Sequence, residues 1–306
     1  MKAFTDSGSD NIKLALVAIV FAMFALSLGD ALIKRISADF SLWQIFVVRS
    51  AIAVPVLIAV IKSRYQSVSL IPHDVRWTAL RSLMLTFMWV GYYSALPNLA
   101  LSVAAAAYYT SPLFIAMFAA LFIGDKVGRA GWIAVLIGFC GVVLILRPQA
   151  SDFNVYALLP LISAVLYALA MIITRTKCKT ENPLVLSLGL NLSFIVVGSA
   201  AALLIGLWGP SSAQTEIHPF LLDQWISMGT NEWFAMGVLA TAVIIGSVGA
   251  AIAYQVGPSS IVATVDFSYL AFAAVWGFLF FAEVPNAITV AGMILIVGAG
   301  MLAIKR

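Results

Sequence analysis

Four ionisable side chains interrupt long apolar runs: Asp30, Arg49, Arg81 and Asp266. A charge in such a run costs about 3 kcal/mol or more to bury, so it marks a candidate site for a substrate, an ion or a proton. Asp266 lies about six residues into its run, roughly 9 Å from the near end at 1.5 Å per residue. A carboxylate there can bind a cationic group or exchange a proton. Its plainer role is a hydrogen-bonded acid that locks helix contacts. Asp30 precedes Lys34 by four residues, so an i,i+4 ion pair competes with a substrate role. Arg49 lies about seven residues into its run. It can meet a substrate carboxylate, but an internal salt bridge or a snorkelling side chain is the plainer reading. Arg81, nearer a run's end, is expected to snorkel.

Aromatic rings supply a second chemistry. Trp89, Tyr92, Tyr108, Tyr167 and Tyr269 fall mid-run. A ring face stacks on a flat solute or attracts a cation, and a buried hydroxyl wants a partner. Packing and interface anchoring are the alternatives. The expected substrate-binding set is therefore Asp266, Tyr108, Asp30, Trp89, Tyr92, Tyr167, Tyr269 and Arg49. No metal, cofactor or catalytic residue is expected. The sequence has no GxGxxG or Walker loop. Histidines 73 and 218 sit in polar loops, and Cys140 and Cys178 form no ligand cluster. The chain reads as a non-enzyme.

Membrane spans are the elements that would carry these residues. Of 306 residues, 63% are hydrophobic and 10% charged, with mean hydropathy +1.05. A soluble domain carries about 25% charged residues, so the bilayer is the solvent that suits this composition. The net charge of +4 does not point to nucleic acid, because the basic residues sit in short loops between apolar runs. Ten runs can be marked: 14–33, 42–61, 77–96, 99–122, 130–146, 155–174, 183–207, 233–253, 260–281 and 286–304. The first is too long for a signal-peptide core. Pro97-Asn98 separates the third from the fourth, and Gly257-Pro258 the eighth from the ninth.

Basic residues orient the spans. With the N-terminus in the cytoplasm, Lys34, Arg35 and Arg147 face outward, Arg49 and Arg81 lie within spans, and the remaining twelve of 17 face inward. Both termini are therefore expected in the cytoplasm of a bacterial inner-membrane protein. The long connection 209–232 carries Glu216, Asp223 and Glu232 with no Lys or Arg, and should face outward. Its 220–228 stretch can lie along the interface as a short amphipathic piece or form a plain polar loop.

The chain also repeats itself. Residues 109–125 align without gaps on 267–283, an offset of 158 that matches Phe114, Ala116, Leu121 and Phe122 to Phe272, Ala274, Leu279 and Phe280. Asp125 becomes Glu283, and Tyr108 falls opposite Asp266. A weaker match at offset 140 pairs Leu26, Ile33 and Arg35 with Leu166, Ile173 and Arg175. The expected fold is all-α and polytopic. Ten transmembrane helices form two five-helix repeats, residues 1–150 and 151–306. Five is odd, so the second half enters the membrane inverted, a signature of secondary transporters.

The duplicated helix ends Phe122-Ile123-Gly124-Asp125-Lys126 and Phe280-Phe281-Ala282-Glu283, each followed by a glycine-bearing helix, resemble the drug/metabolite transporter (DMT) superfamily. Within it, the chain is similar to ten-span EamA-type proteins over about residues 12–305. The segment Leu28-Gly29-Asp30-Ala31-Leu32-Ile33-Lys34, with Trp43-Gln44-Ile45-Phe46-Val47-Val48-Arg49, resembles a subgroup of riboflavin and S-adenosylmethionine carriers. Ala282 departs from the usual glycine of the second acidic cap. The resemblance implies a central cavity lined by helices one, three, four, six, eight and nine, and small polar or amphipathic cargo, amino acids included. It favours uptake.

The expected function is alternating-access transport of a small organic metabolite, amphipathic or cationic and aromatic-bearing, with proton coupling open to the buried acids. Its partners are then that solute and the lipid bilayer. The alternatives are an exporter of amino acids or drugs on the same fold, a channel, and a membrane scaffold.

Overall fold

The computed structural model describes residues 11–123, 129–146, 154–257, 262 and 265–304. Gly124, Asp125, Lys126, Arg147, Pro258, Lys305, Arg306 and the chain before Asn11 lie outside them. The described residues are helical with no strand. They form α1 (Ile12–Ile36), α2 (Leu42–Arg64), α3 (Val75–Ala95), α4 (Leu101–Tyr108), α5 (Ser111–Phe118), α6 (Arg129–Leu146), α7 (Leu158–Thr176), α8 (Pro183–Trp208), α9 (Ser212–Ile217), α10 (Pro219–Leu222), α11 (Thr230–Val256), α12 (Ser268–Phe281) and α13 (Ala287–Ile304). Six helical segments are long and apolar enough to cross a membrane: 12–36, 42–64, 101–122, 155–176, 183–208 and 230–256. The chain is a multi-pass membrane protein.

Local chemistry sets the helix ends. Asn11, Ser41, Asp74 and Asn182 each accept a hydrogen bond from a first-turn amide of α1, α2, α3 and α8. α8 stops at Gly209, whose φ of 62° is the left-handed conformation that glycine adopts without penalty. Pro97 ends α3 in a single 3-10 turn, as expected from its missing amide donor.

The exterior is apolar and the interior holds the charges. Leu207 and Phe234 are each 75% exposed, whereas Asp30, Arg49, Arg81 and Asp266 are each at most 2% exposed. Lipid rewards that inversion. α1 packs along α11, α3 along α7, α2 along α8 and α6 along α13. Small residues permit the close approaches: a Cβ on Gly249 would stand 2.8 Å from the Ala18 carbonyl oxygen, and one on Gly141 2.8 Å from that of Gly292.

Of the two forms expected for the long connection, residues 223–229 take the loop, after the short helices α9 and α10. Gln44 pairs with both backbone groups of Ile226, donating to its carbonyl at 2.7 Å and accepting from its amide at 3.1 Å. Trp43 Nε1 donates to the Leu221 carbonyl at 2.8 Å. These contacts dock the connection on α2.

Candidate functional site

Two neighbouring cavities occupy the middle of the bundle. The larger has about 520 Å³ of space between its lining atoms, part of it open to the outside. Its wall comes from α1 (Met23, Leu26), α3 (Arg81, Leu85, Met88, Trp89), Tyr108 and Tyr109, α7 (Tyr167, Met171), α11 (Val243, Gly246, Ser247, Ala250) and α12 (Tyr269), with Leu190 of α8. The smaller, about 210 Å³, is lined by Asp30, Arg49, Trp89 and Tyr93 among others. Leu26, Trp89 and Val243 belong to both walls.

Broken helices bring the rings together. A turn at Tyr109 and Thr110 separates α4 from α5, where the Thr110 amide turns to the Ala107 carbonyl, three residues back, at 3.4 Å. Another turn at Phe267 follows the helical pair 265–266. Positions 109 and 267 are the ones aligned by the offset of 158. Tyr109 stacks on Tyr269 with ring centroids 4.8 Å apart, Tyr108 lies 5.2 Å from Tyr92 and 5.6 Å from Tyr167, and Trp89 stacks on Tyr93 at 4.8 Å.

Each buried acid is clamped by two tyrosines. Asp30 accepts from Tyr93 at 2.9 Å through Oδ1 and from Tyr269 through Oδ2; Tyr269 also meets the Tyr92 hydroxyl at 3.1 Å. Asp266 accepts through Oδ2 from Tyr254 at 2.8 Å and Tyr167 at 3.3 Å, while its Oδ1 has no partner among the described residues. Charged hydrogen bonds of this kind are among the stronger ones, worth roughly 1.5–3 kcal/mol each. Asp30 so links α1, α3 and α12, and Asp266 links its own segment to α7 and α11.

The expected residues separate into three groups. Trp89, Tyr108, Tyr167 and Tyr269 line the larger cavity, and Asp30 and Arg49 line the smaller. Asp266 and Tyr92 stand behind the larger wall, each touching it through a tyrosine hydroxyl. The i,i+4 pair of Asp30 with Lys34 does not form. Lys34 instead pairs with Glu283 at 2.7 Å, the one ion pair among the described residues. That leaves Arg49 without the expected internal salt bridge. Its guanidinium lies against Phe46, Phe194 and Tyr93 at 4.9, 4.7 and 5.7 Å, with Nε and Nη2 unpartnered. Arg81 does not snorkel. It is 1% exposed and turned onto the cavity wall. Its helical register was the available signal: Arg81, Leu85, Met88, Trp89 and Tyr92 form one buried stripe at spacings of three and four. Tyr109 and the three cavity methionines were also passed over, since nothing in their spacing separates them from packing residues.

No cluster of three or more His, Cys, Asp or Glu able to hold a metal occurs among the described residues. What the arrangement offers is a cavity of ring faces, hydroxyls and one guanidinium, with two acids behind or beside it. That is equipment for binding an organic solute.

Residues 13–147 match the EamA-like transporter family. The chain carries an EamA family domain of the DMT superfamily. It is 28% identical over 299 residues to the pseudopaline exporter of Pseudomonas aeruginosa, covering 97% of this chain and 98% of that one. It is 28% identical over 218 residues to the riboflavin transporter of Rhizobium johnstonii, covering 71% and 65%. It is 23% identical over 231 residues to the S-adenosylmethionine uptake transporter of Rickettsia prowazekii, covering 74% and 70%. A solved crystal structure shares the fold with a TM-score of 0.66 at 19% identity, over 95% of each chain. These relatives are named as transporters, not enzymes.

Proposed function

We propose that the protein carries a small amphipathic organic metabolite across the bacterial inner membrane by alternating access. Ten spans form two inverted halves, 1–150 and 151–306, with both termini in the cytoplasm. One observation carries the reading: the helix packing keeps its pattern when the halves are exchanged. α1 with α11 becomes α7 with α3; α1 with α12 becomes α7 with α4 and α5; α2 with α8 and α6 with α13 map onto themselves. Side-chain contacts follow. Lys34 donates to the Leu99 carbonyl at 2.5 Å and Arg175 to the Gly257 carbonyl at 2.6 Å. Residues 99 and 257 are again 158 apart. Two such halves around one cavity support two near-equivalent packings, open to opposite sides.

The cargo meets Trp89, Tyr108, Tyr167 and Tyr269 as stacking faces. Asp30 and Asp266 supply negative charge, or a proton-exchanging group, beside it. Export is supported by a relative aligned over nearly the whole chain, which is named an exporter. Uptake is the second reading, favoured by the partial alignments to riboflavin and S-adenosylmethionine carriers.

Counterflow tests the proposal. Proteoliposomes preloaded with unlabelled riboflavin, S-adenosylmethionine or tryptophan should accelerate entry of the same labelled solute for at least one of the three, with saturation. Linear, unaccelerated flux identifies a channel. No flux with any of them refutes the carrier reading for this cargo class.

A further inference from the structure

Among the described residues, Arg81 is the only charged one in the wall of the larger cavity. Its Nε donates to Thr174 Oγ1 at 2.6 Å, and Thr174 in turn donates to the Ala170 carbonyl at 2.8 Å. The side chain is thus fixed between α3 and α7. Among the described residues its Nη1 has no partner. No described Asp or Glu lies within 4 Å of it. A buried guanidinium with an open donor and no counter-ion is costly, unless something that visits the cavity completes it. The planar fork of arginine matches a carboxylate at two points.

Arg49 is placed differently. Three rings cage its guanidinium at the smaller cavity, so its charge is partly met by ring faces. Arg81 has no such cage, and it shares its wall with Tyr108, Tyr109, Tyr167 and Tyr269. Met23, Met88 and Met171 complete an adaptable apolar lining.

We propose that Arg81 binds a carboxylate of the cargo, which makes that cargo a ring-bearing zwitterion rather than a simple cation. The inference rests on the transporter reading and names the cargo class of the same cavity. The ring of the cargo lies among the tyrosines. Its cationic end faces the Tyr167 hydroxyl, which already donates to Asp266. Arg81 then acts as the residue that selects an acid over its neutral analogue.

Calorimetric titration of the purified full-length protein with L-tryptophan, tryptophan methyl ester and tryptamine tests this. Tryptophan should bind about 10- to 100-fold tighter than the ester or the amine, the range of one charged hydrogen-bonded contact. Arg81→Gln should erase that preference, and Arg81→Lys should restore part of it. Equal affinity for acid and ester on the unmodified protein overturns the inference whether or not the variants fold. So does the absence of binding heat with any of the three at millimolar concentration. Full competition by chloride or inorganic phosphate would mark a bare anion site and also overturn it. Saturable tryptamine counterflow together with equal affinity for tryptophan and its ester leaves the carrier reading standing while this inference fails. A carboxylate preference without any counterflow does the reverse.

Discussion

The Lys34–Glu283 pair joins the ends of three helices, and its removal should be measurable. Glu283 Oε1 holds Lys34 at 2.7 Å and Oε2 accepts from the Leu101 amide at 2.8 Å. Lys34 also donates to the Leu99 carbonyl and lies 5.1 Å from the Phe281 ring centroid. The two side chains are 13% and 19% exposed, so water screens them little. Glu283→Gln keeps the shape but offers one acceptor oxygen to two donors, so one bond is lost and the other no longer meets a carboxylate charge. Each such change costs about 1 kcal/mol, giving a total of about 2 kcal/mol. Lys34→Met should cost a similar amount, because it leaves the carboxylate with only the Leu101 amide. The double variant should then be less destabilised than the sum of the two by about 1 kcal/mol or more, the coupling of residues in direct contact. Thermal unfolding of the four proteins in one detergent measures the cycle, with a shift of about 4 °C expected for each single variant. Strict additivity within about 0.3 kcal/mol would refute the reasoning, since it would mean that solvent or lipid already replaces the pair.

Two further outcomes are expected. Asp266→Asn preserves an oxygen that can accept from Tyr254 and Tyr167, so it should unfold within about 1 kcal/mol of the parent yet transport at least about tenfold more slowly; normal counterflow across pH 5–8 would make the acid structural. A cysteine at the exposed Ser212 should react with an impermeant maleimide in intact cells, and labelling only after lysis would overturn the orientation; burial raises the Cys178 thiol above its ordinary range, so replacing Cys140 suffices for a quiet background.

Much of the architecture was legible because lipid imposes a simple rule. A span must satisfy its own backbone, so apolar runs of about 20 residues announce helices without any tertiary information. Six such helices stand clear in the structure. The acids were legible for the same reason: Asp30 and Asp266 are too costly at depth to be incidental, and both are buried under tyrosine hydroxyls. The rings Tyr108, Tyr167 and Tyr269 could be named from mid-run position alone, and all three line the cavity.

Partners were not legible, because a partner is a matter of geometry between distant segments. Lys34 has Asp30 one turn away on its own helix, yet it pairs with Glu283, 249 residues along the chain. The local ion pair loses because Asp30 turns inward to two hydroxyls, while Lys34 meets a carboxylate, a carbonyl and a ring. Arg81 stood near a helix end, where snorkelling is the cheaper course for an isolated helix. In the bundle, α7 covers that side and Thr174 offers an acceptor, so the guanidinium stays inside. The sequence by itself determined which segments enter the membrane and which side chains are expensive there, because transfer free energy belongs to each residue. Only the tertiary structure decided which of those side chains meet one another and which are left open to a ligand, because that depends on how the helices cross.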